Sequence, residues 1–175
     1  MESKGLHVER EQCLQRDGDD VYLSRAGVIV REMVRADVPF LMALRHDFLT
    51  RMNTPVEHDH PTTAAILMNV LGNPSAKAFV AITAEGRMVG MLVCEATTCP
   101  INSNEWMIVQ RMFYVDPVVR GQGIGRHLIA RMEDWAREED IELLVLCYRE
   151  GQVPDGWFEQ QGFQPIERTV YKMVR

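Results

Sequence analysis

The run Phe113-Tyr114-Val115-Asp116-Pro117-Val118-Val119-Arg120-Gly121-Gln122-Gly123-Ile124-Gly125-Arg126 decides how the rest of the chain is read. It passes from an apolar strand pattern through alternate glycines into a helical pattern. Glycines at alternate positions leave backbone N–H groups unshielded by side chains. The positive dipole end of the following helix points at the same turn. Together these features make a cradle for phosphate. A Walker loop needs a Lys directly after its last glycine, and none follows here. A dinucleotide fingerprint needs G-x-G-x-x-G, whereas Gly121, Gly123 and Gly125 give G-x-G-x-G behind an arginine.

Working outward, Ile124 to Glu139 predicts a helix with Ile124, Leu128, Ile129, Met132, Trp135 and Ala136 on one face. His127 lies within it and reads as a structural or exposed histidine rather than a ligand. Glu105 to Val115 predicts a long central strand, and Ile141 to Cys147 an apolar strand short enough to be buried on both faces. A strand, helix, strand order of this length requires a parallel crossover. Towards the N-terminus, Val28 to Met33 predicts a strand, and Asp37 an N-cap for a helix reaching about Met52. Pro61 to Leu71 predicts a second helix. Lys77 to Thr83 and Met88 to Ala96 predict a hairpin closed by Ala84-Glu85-Gly86-Arg87. A short helix holding Trp157, Phe158, Gln160 and Gln161 ends at Gly162, and Phe163 to Ile166 with Thr169 to Val174 predicts a closing antiparallel pair. Residues 1–26 are polar and lack sustained periodicity. They are read as an extension, partly disordered or folded onto the surface, of a domain spanning 27–175.

A length of 175 residues suits one domain with a real core, and 46% hydrophobic with 25% charged residues is ordinary globular composition. The net charge of −6 argues against nucleic-acid partners, which need a cationic surface. No apolar run is long enough to span a membrane. The first residues lack the apolar core of a signal peptide, so a cytoplasmic location is expected. Cys94 and Cys147 sit in apolar strand patterns and read as small buried hydrophobes. Glu57-His58-Asp59-His60 invites a metal, but neighbours on one short loop rarely converge on an ion, so a solvated loop and no metal are expected.

Arg120 to Gly125 fits R/Q-x-x-G-x-G/A, with Val115-x-Pro117 just upstream. In this setting the run resembles the acyl-CoA-binding motif of the GNAT (GCN5-related N-acetyltransferase) superfamily. Trp157-Phe158-Glu159-Gln160-Gln161-Gly162-Phe163 also resembles that superfamily's closing segment, Y-x-x-x-G-F. The resemblance implies an α/β (α+β) GNAT fold: a central mixed, mostly antiparallel twisted sheet with a parallel splayed strand pair, flanked by about four helices. It implies acetyl-CoA as cosubstrate, without a metal. Phe113, Tyr114 and Val115 would meet the pantetheine arm through backbone groups. Gly121, Gln122, Gly123, Ile124, Gly125 and Arg126 would hold the pyrophosphate on N–H groups, with Arg120 beside them. An acetyl group would pass to a primary amine by direct attack in a ternary complex. Homodimers are frequent in the family, which makes a homodimer one expectation.

Two positions depart from the family. Its usual acid, the Tyr of Y-x-x-x-G-F, is Phe158 here, and the strand position that often carries an acidic residue is Arg111. On an active reading, Glu105 shares strand parity with Arg111 and Val115 and is the candidate base, while Tyr148, beyond the next strand's exit, is the candidate acid. The alternatives are an acyl-CoA sensor or binding module without catalysis, and a fold kept for protein contact. The acceptor is open. The acidic, histidine-bearing loop suits a cationic amine, small or on a protein, whereas Arg111 suits an acceptor bearing a carboxylate or phosphate.

Overall fold

Seven strands form one sheet in the order in which they occur in the chain. The computed structural model describes residues 13–16, 19–23, 27–52, 60–148, 153–154 and 156–166. The strands are β1 (Cys13–Arg16), β2 (Asp19–Leu23), β3 (Ile29–Glu32), β4 (Ala76–Ile82), β5 (Met88–Thr98), β6 (Trp106–Val115) and β7 (Leu143–Val145). Each neighbouring pair is antiparallel except β6 and β7, which run parallel. Helices α1 (Val38–Met52) and α2 (His60–Gly72) precede β4, and α3 (Ile124–Glu138) joins β6 to β7.

Both faces of the sheet are covered, so β4 and β5 read as continuous buried runs rather than alternating ones. On one face Leu128, Met132 and Trp135 of α3 pack on Val30, Phe79, Leu92 and Ile108. On the other, Leu41 and Leu44 of α1 and Leu67 of α2 pack on Val80, Met91, Val93 and Tyr114.

Several expectations are revised. Strands β1 and β2 lie within residues 1–26, where the sequence offers no periodicity, and they extend the sheet at its β3 edge. Three α-helices are present among the described residues, not about four, because the segment after Trp157 forms only a 3-10 turn at Glu159–Gln161. Phe163 to Ile166 pairs with no strand among the described residues, and Thr169 to Val174 lies outside them. The strand expected over Ile141 to Cys147 is confined to Leu143–Val145 and is only partly buried, with Leu143 exposed.

Asp37 is not the direct cap of α1. It closes a 3-10 turn, Arg35–Asp37, and its carboxylate accepts the Val34 N–H at 2.8 Å and two bonds from the Arg31 guanidinium at 2.7 and 2.9 Å. Burial raises this carboxyl's pKa, but the Arg31 and Val34 hydrogen bonds and the Arg31 charge together hold it below its ordinary value. A depressed folded pKa stabilises above the unfolded value, and that stabilisation is lost as pH falls through the folded value. Asp37→Asn should therefore destabilise by about 1–2 kcal/mol at neutral pH. The gap between the two proteins should narrow as pH is lowered below about 4. Urea unfolding at several pH values measures it; a pH-independent gap would refute the assignment.

Candidate functional site

Residues that end β6 lead into a fastened turn. Asp116 N–H donates to Val89 C=O at 2.8 Å, and the Asp116 carboxylate accepts Val118 N–H at 3.0 Å and pairs with Arg87 at 3.1 Å. A 3-10 turn, Pro117–Val119, follows, with Val119 buried. Gly121 and Gly123 then take left-handed conformations, with φ of 81° and 82°. An L side chain is strained at such values. A Cβ on Gly121 would meet nothing within 4 Å, so this side of the turn is open.

Gly123 occupies the N-cap position of α3 and supplies no capping side chain. The first amide here to find a backbone acceptor among the described residues is His127 N–H, on Gly123 C=O at 3.1 Å. The amides from Gly121 to Arg126 make no such bond, which leaves a row of donors at the positive end of a helix. Gly125 has a further reason to be glycine: a Cβ there would stand 3.3 Å from the Trp157 ring and 3.4 Å from Phe113. Arg126 is tied to Gln161 through its Nε at 3.2 Å.

Arg120 Nε donates to Val115 C=O at 3.1 Å. The Asp116 N–H of the same trans peptide points to β5, so this carbonyl points away from β5, to the opposite edge of β6. Arg120 is thus anchored beside the row of amides. The Val115 carbonyl, expected to face a ligand, is held by Arg120 instead.

Strands β6 and β7 pair at Met107 with Leu143, Ile108 with Leu144, and Val109 with Val145. Pairing stops there, and the Gln110 side chain reaches across, its Oε1 accepting Cys147 N–H at 2.9 Å. From Gln110 onward that edge of β6 meets no strand among the described residues. Gln110 is a site-shaping residue that periodicity missed, because a lone polar residue in an apolar strand gives no sign of what it spans.

The same place carries a bulge. Val93 pairs with Met112 and Cys94 with Gln110, so Arg111 is the extra residue on β6. Ile108 and Phe113 consequently pack on the α3 face, while Met112 and Tyr114 pack on the α1/α2 face. In an unbroken strand Ile108 and Met112 would share a face. The parity argument for Glu105 therefore does not carry across: as an odd position before the bulge it falls on the face of Met112, not of Val115. Glu105 is exposed and precedes the strand, and its carbonyl accepts Cys99 N–H at 2.8 Å.

Arg111 is not a lone cation. Its Nε and Nη2 both meet Glu95 Oε2 at 2.8 Å. Glu95, on β5 opposite Val109, is the second residue that sequence reading passed over; only strand register joins positions so far apart in the chain.

Phe158 is buried and makes ring contacts with Phe113, Trp157, Phe163 and Tyr148. The Tyr148 ring centroid lies 4.5 Å from that of Phe158, while the residue itself is 49% exposed, so a hydroxyl-bearing ring sits directly on the one that lacks a hydroxyl. Cys147 is exposed, contrary to its expected burial, because β7 ends before it. Cys94 is buried, and burial pushes its thiol pKa up, so it is the inert one of the two. His127 is buried on α3, in line with a structural reading. Among the described residues no group of three His, Cys, Asp or Glu could hold a metal. Glu57 to Asp59 lies outside them.

The model of the Acetyltransferase (GNAT) family matches residues 41–163. The chain is similar to an aminoglycoside N(6')-acetyltransferase type 1 of Stenotrophomonas maltophilia, 26% identical over 145 residues that span 81% of this chain and 90% of that protein. Among solved structures it is similar to a predicted acetyltransferase with acetyl-CoA from Clostridium acetobutylicum, with a TM-score of 0.70 at 18% identity over 83% of this chain and 96% of that one. It is also similar to an aminoglycoside antibiotic 6'-N-acetyltransferase from Acinetobacter baumannii, with a TM-score of 0.68 at 17% identity over 85% of this chain and 99% of that one. At these identities the structural likeness is one of fold.

Proposed function

The chain belongs to the acetyltransferase (GNAT) family, and from that premise we propose that it moves the acetyl group of acetyl-CoA to a primary amine of a small molecule. The observation that carries the reading is the row of amides from Gly121 to Arg126, opened by two left-handed glycines at the start of α3 and set beside the edge of β6 that meets no strand among the described residues. These residues fit a pyrophosphate: the donors are unshielded and no side chain stands over Gly121. Acetyl-CoA, when bound, supplies an activated acetyl thioester. Gly121 to Arg126 would hold the phosphates, with Arg120 alongside. The outer edge of Phe113 and Tyr114 would line the extended arm. Gln110, which spans the two segments by its bond to Cys147 N–H, would border the point where that arm needs room.

Tyr148 is our choice for the donor to the departing thiolate. It exposes its ring on top of Phe158, where family members carry the tyrosine hydroxyl. For the acceptor, the aminoglycoside-acetylating relative favours a polyamino sugar or another small cationic amine over a protein. The pairing of Arg111 with Glu95 removes the reason to expect an anionic acceptor, since that cation is already matched.

A second reading, an acyl-CoA-binding module without turnover, draws on Arg111 and Phe158 standing where the family's common acid and base would be. Calorimetric titration with CoA, together with thiol release from acetyl-CoA in the presence of kanamycin, spermidine and a peptide amine, separates the two. Binding with turnover is the expected result. Binding without turnover would select the second reading, and an absence of binding would eliminate both.

A further inference from the structure

We propose that Glu95 is the carboxylate that takes the proton from the acceptor amine, with Arg111 as its positioning residue. The inference rests on the acetyl-transfer reading above and names the base for it.

The bulge turns Arg111 out of the regular alternation, directly after Gln110, whose side chain spans the parting strands. Glu95 lies across β6 from that point, in register with Val109, the last residue of β6 to pair with β7. Alternation along β5 puts Glu95 on the face of Met91 and Val93, the α1/α2 face, and the ion pair draws Arg111 to it. A carboxylate thus stands on the open rim beside the mouth of the gap. Its side chain is 39% exposed, so an incoming amine can reach it.

Both contacts from Arg111 fall on Oε2. Oε1 has no partner among the described residues. A carboxylate held by one oxygen and open at the other is oriented without being used up. The neighbouring strand positions on this face are Ala76 of β4 and Val93 and Thr97 of β5. From Pro61 to Gly72, α2 carries no ionisable residue, and its first residue is His60. The second half of α1 carries Arg45, His46, Asp47 and Arg51. Glu105, on the same face by alternation, precedes the first residue of β6.

In the step this implies, a neutral acceptor amine forms its N–C bond to the acetyl carbon and sheds one proton to Glu95 Oε1. The C–S bond breaks, and the thiolate leaves with the electron pair. One proton is gained by Glu95 and one negative charge passes to sulfur.

The test compares the wild-type protein with Glu95→Gln, a substitution of equal size at a half-exposed position. Acetyl-CoA binding is measured by calorimetry, kanamycin binding is measured on the CoA-loaded protein, and thiol release is followed with kanamycin, with spermidine and with water as the only acceptor. The expected result is unchanged acetyl-CoA affinity, weaker kanamycin binding, and thiol release with kanamycin lowered about 100-fold in kcat. Glu95→Asp should recover part of the rate. Thiol release by Glu95→Gln within about twofold of wild type overturns the proposal and leaves the acetyl-transfer reading standing. Failure of the wild-type protein to bind acetyl-CoA overturns both.

Discussion

Replacing Gly123 by valine should raise the dissociation constant of CoA about 100-fold or more, the loss expected when two charge-assisted hydrogen bonds go. The reason is conformational rather than steric. A Cβ on Gly123 would meet only His127, at 3.6 Å, which is an ordinary contact. Its φ of 82°, however, is one that a β-branched residue strongly resists. Relaxing to a negative φ would swing the peptide plane at the start of α3. The amides of Gly123 and Ile124 would then no longer converge with their neighbours. A hydrogen bond to a charged group contributes about 1.5–3 kcal/mol, so two misdirected donors account for the predicted loss. The fold should survive at a cost of about 1–3 kcal/mol of backbone strain, since the turn is exposed. Calorimetric titration of both proteins with CoA at 25 °C, with circular dichroism to verify folding, measures the effect. An unchanged dissociation constant in a folded variant would remove the phosphate cradle from this turn.

Trp135→Ala should cost about 3–5 kcal/mol of stability and lower Tm by roughly 10 °C. Trp135 is 1% exposed and is among the largest fully buried side chains. It belongs to the core cluster formed by α3 and the sheet, with the Lys77 ammonium 5.8 Å from its ring centroid. Its indole N–H has no acceptor among the described residues, so the substitution forfeits packing and not a hydrogen bond. The consequence reaches the site, because α3 carries the row of amides at its other end. A loosened helix should weaken CoA binding even though Trp135 touches no part of the cradle. Thermal unfolding monitored by circular dichroism is the direct measurement, and a fall of less than about 3 °C would mean that α3 is seated by other contacts.

Determined by the sequence alone were the features that depend on near neighbours. Alternate glycines at 121, 123 and 125 and the apolar stripe from Ile124 to Ala136 locate a turn and a helix whatever surrounds them, because conformational freedom and helical period are local properties. The order of elements from Ile29 to Val145 followed for the same reason, with ends shifted by a few residues. Local patterning also had clear limits. The hairpin over 13–23 was not legible, since polar strands at an edge owe their pairing to the sheet they join. The true extent of β7 was hidden because a side chain, Gln110, ends its pairing and not its own composition. Which groups meet at the site was decided only in three dimensions. One extra residue at Arg111 reverses the faces of β6, so the parity that nominated Glu105 fails and the register brings Glu95 to Arg111 from another strand. Phe158 and Tyr148 read separately as a loss and a guess; in tilted contact at 4.5 Å they become one aromatic surface with a single hydroxyl. A cradle built from consecutive amides is written in one stretch of chain, whereas side chains that act together across strands are set by register, bulges and packing, which no single stretch contains.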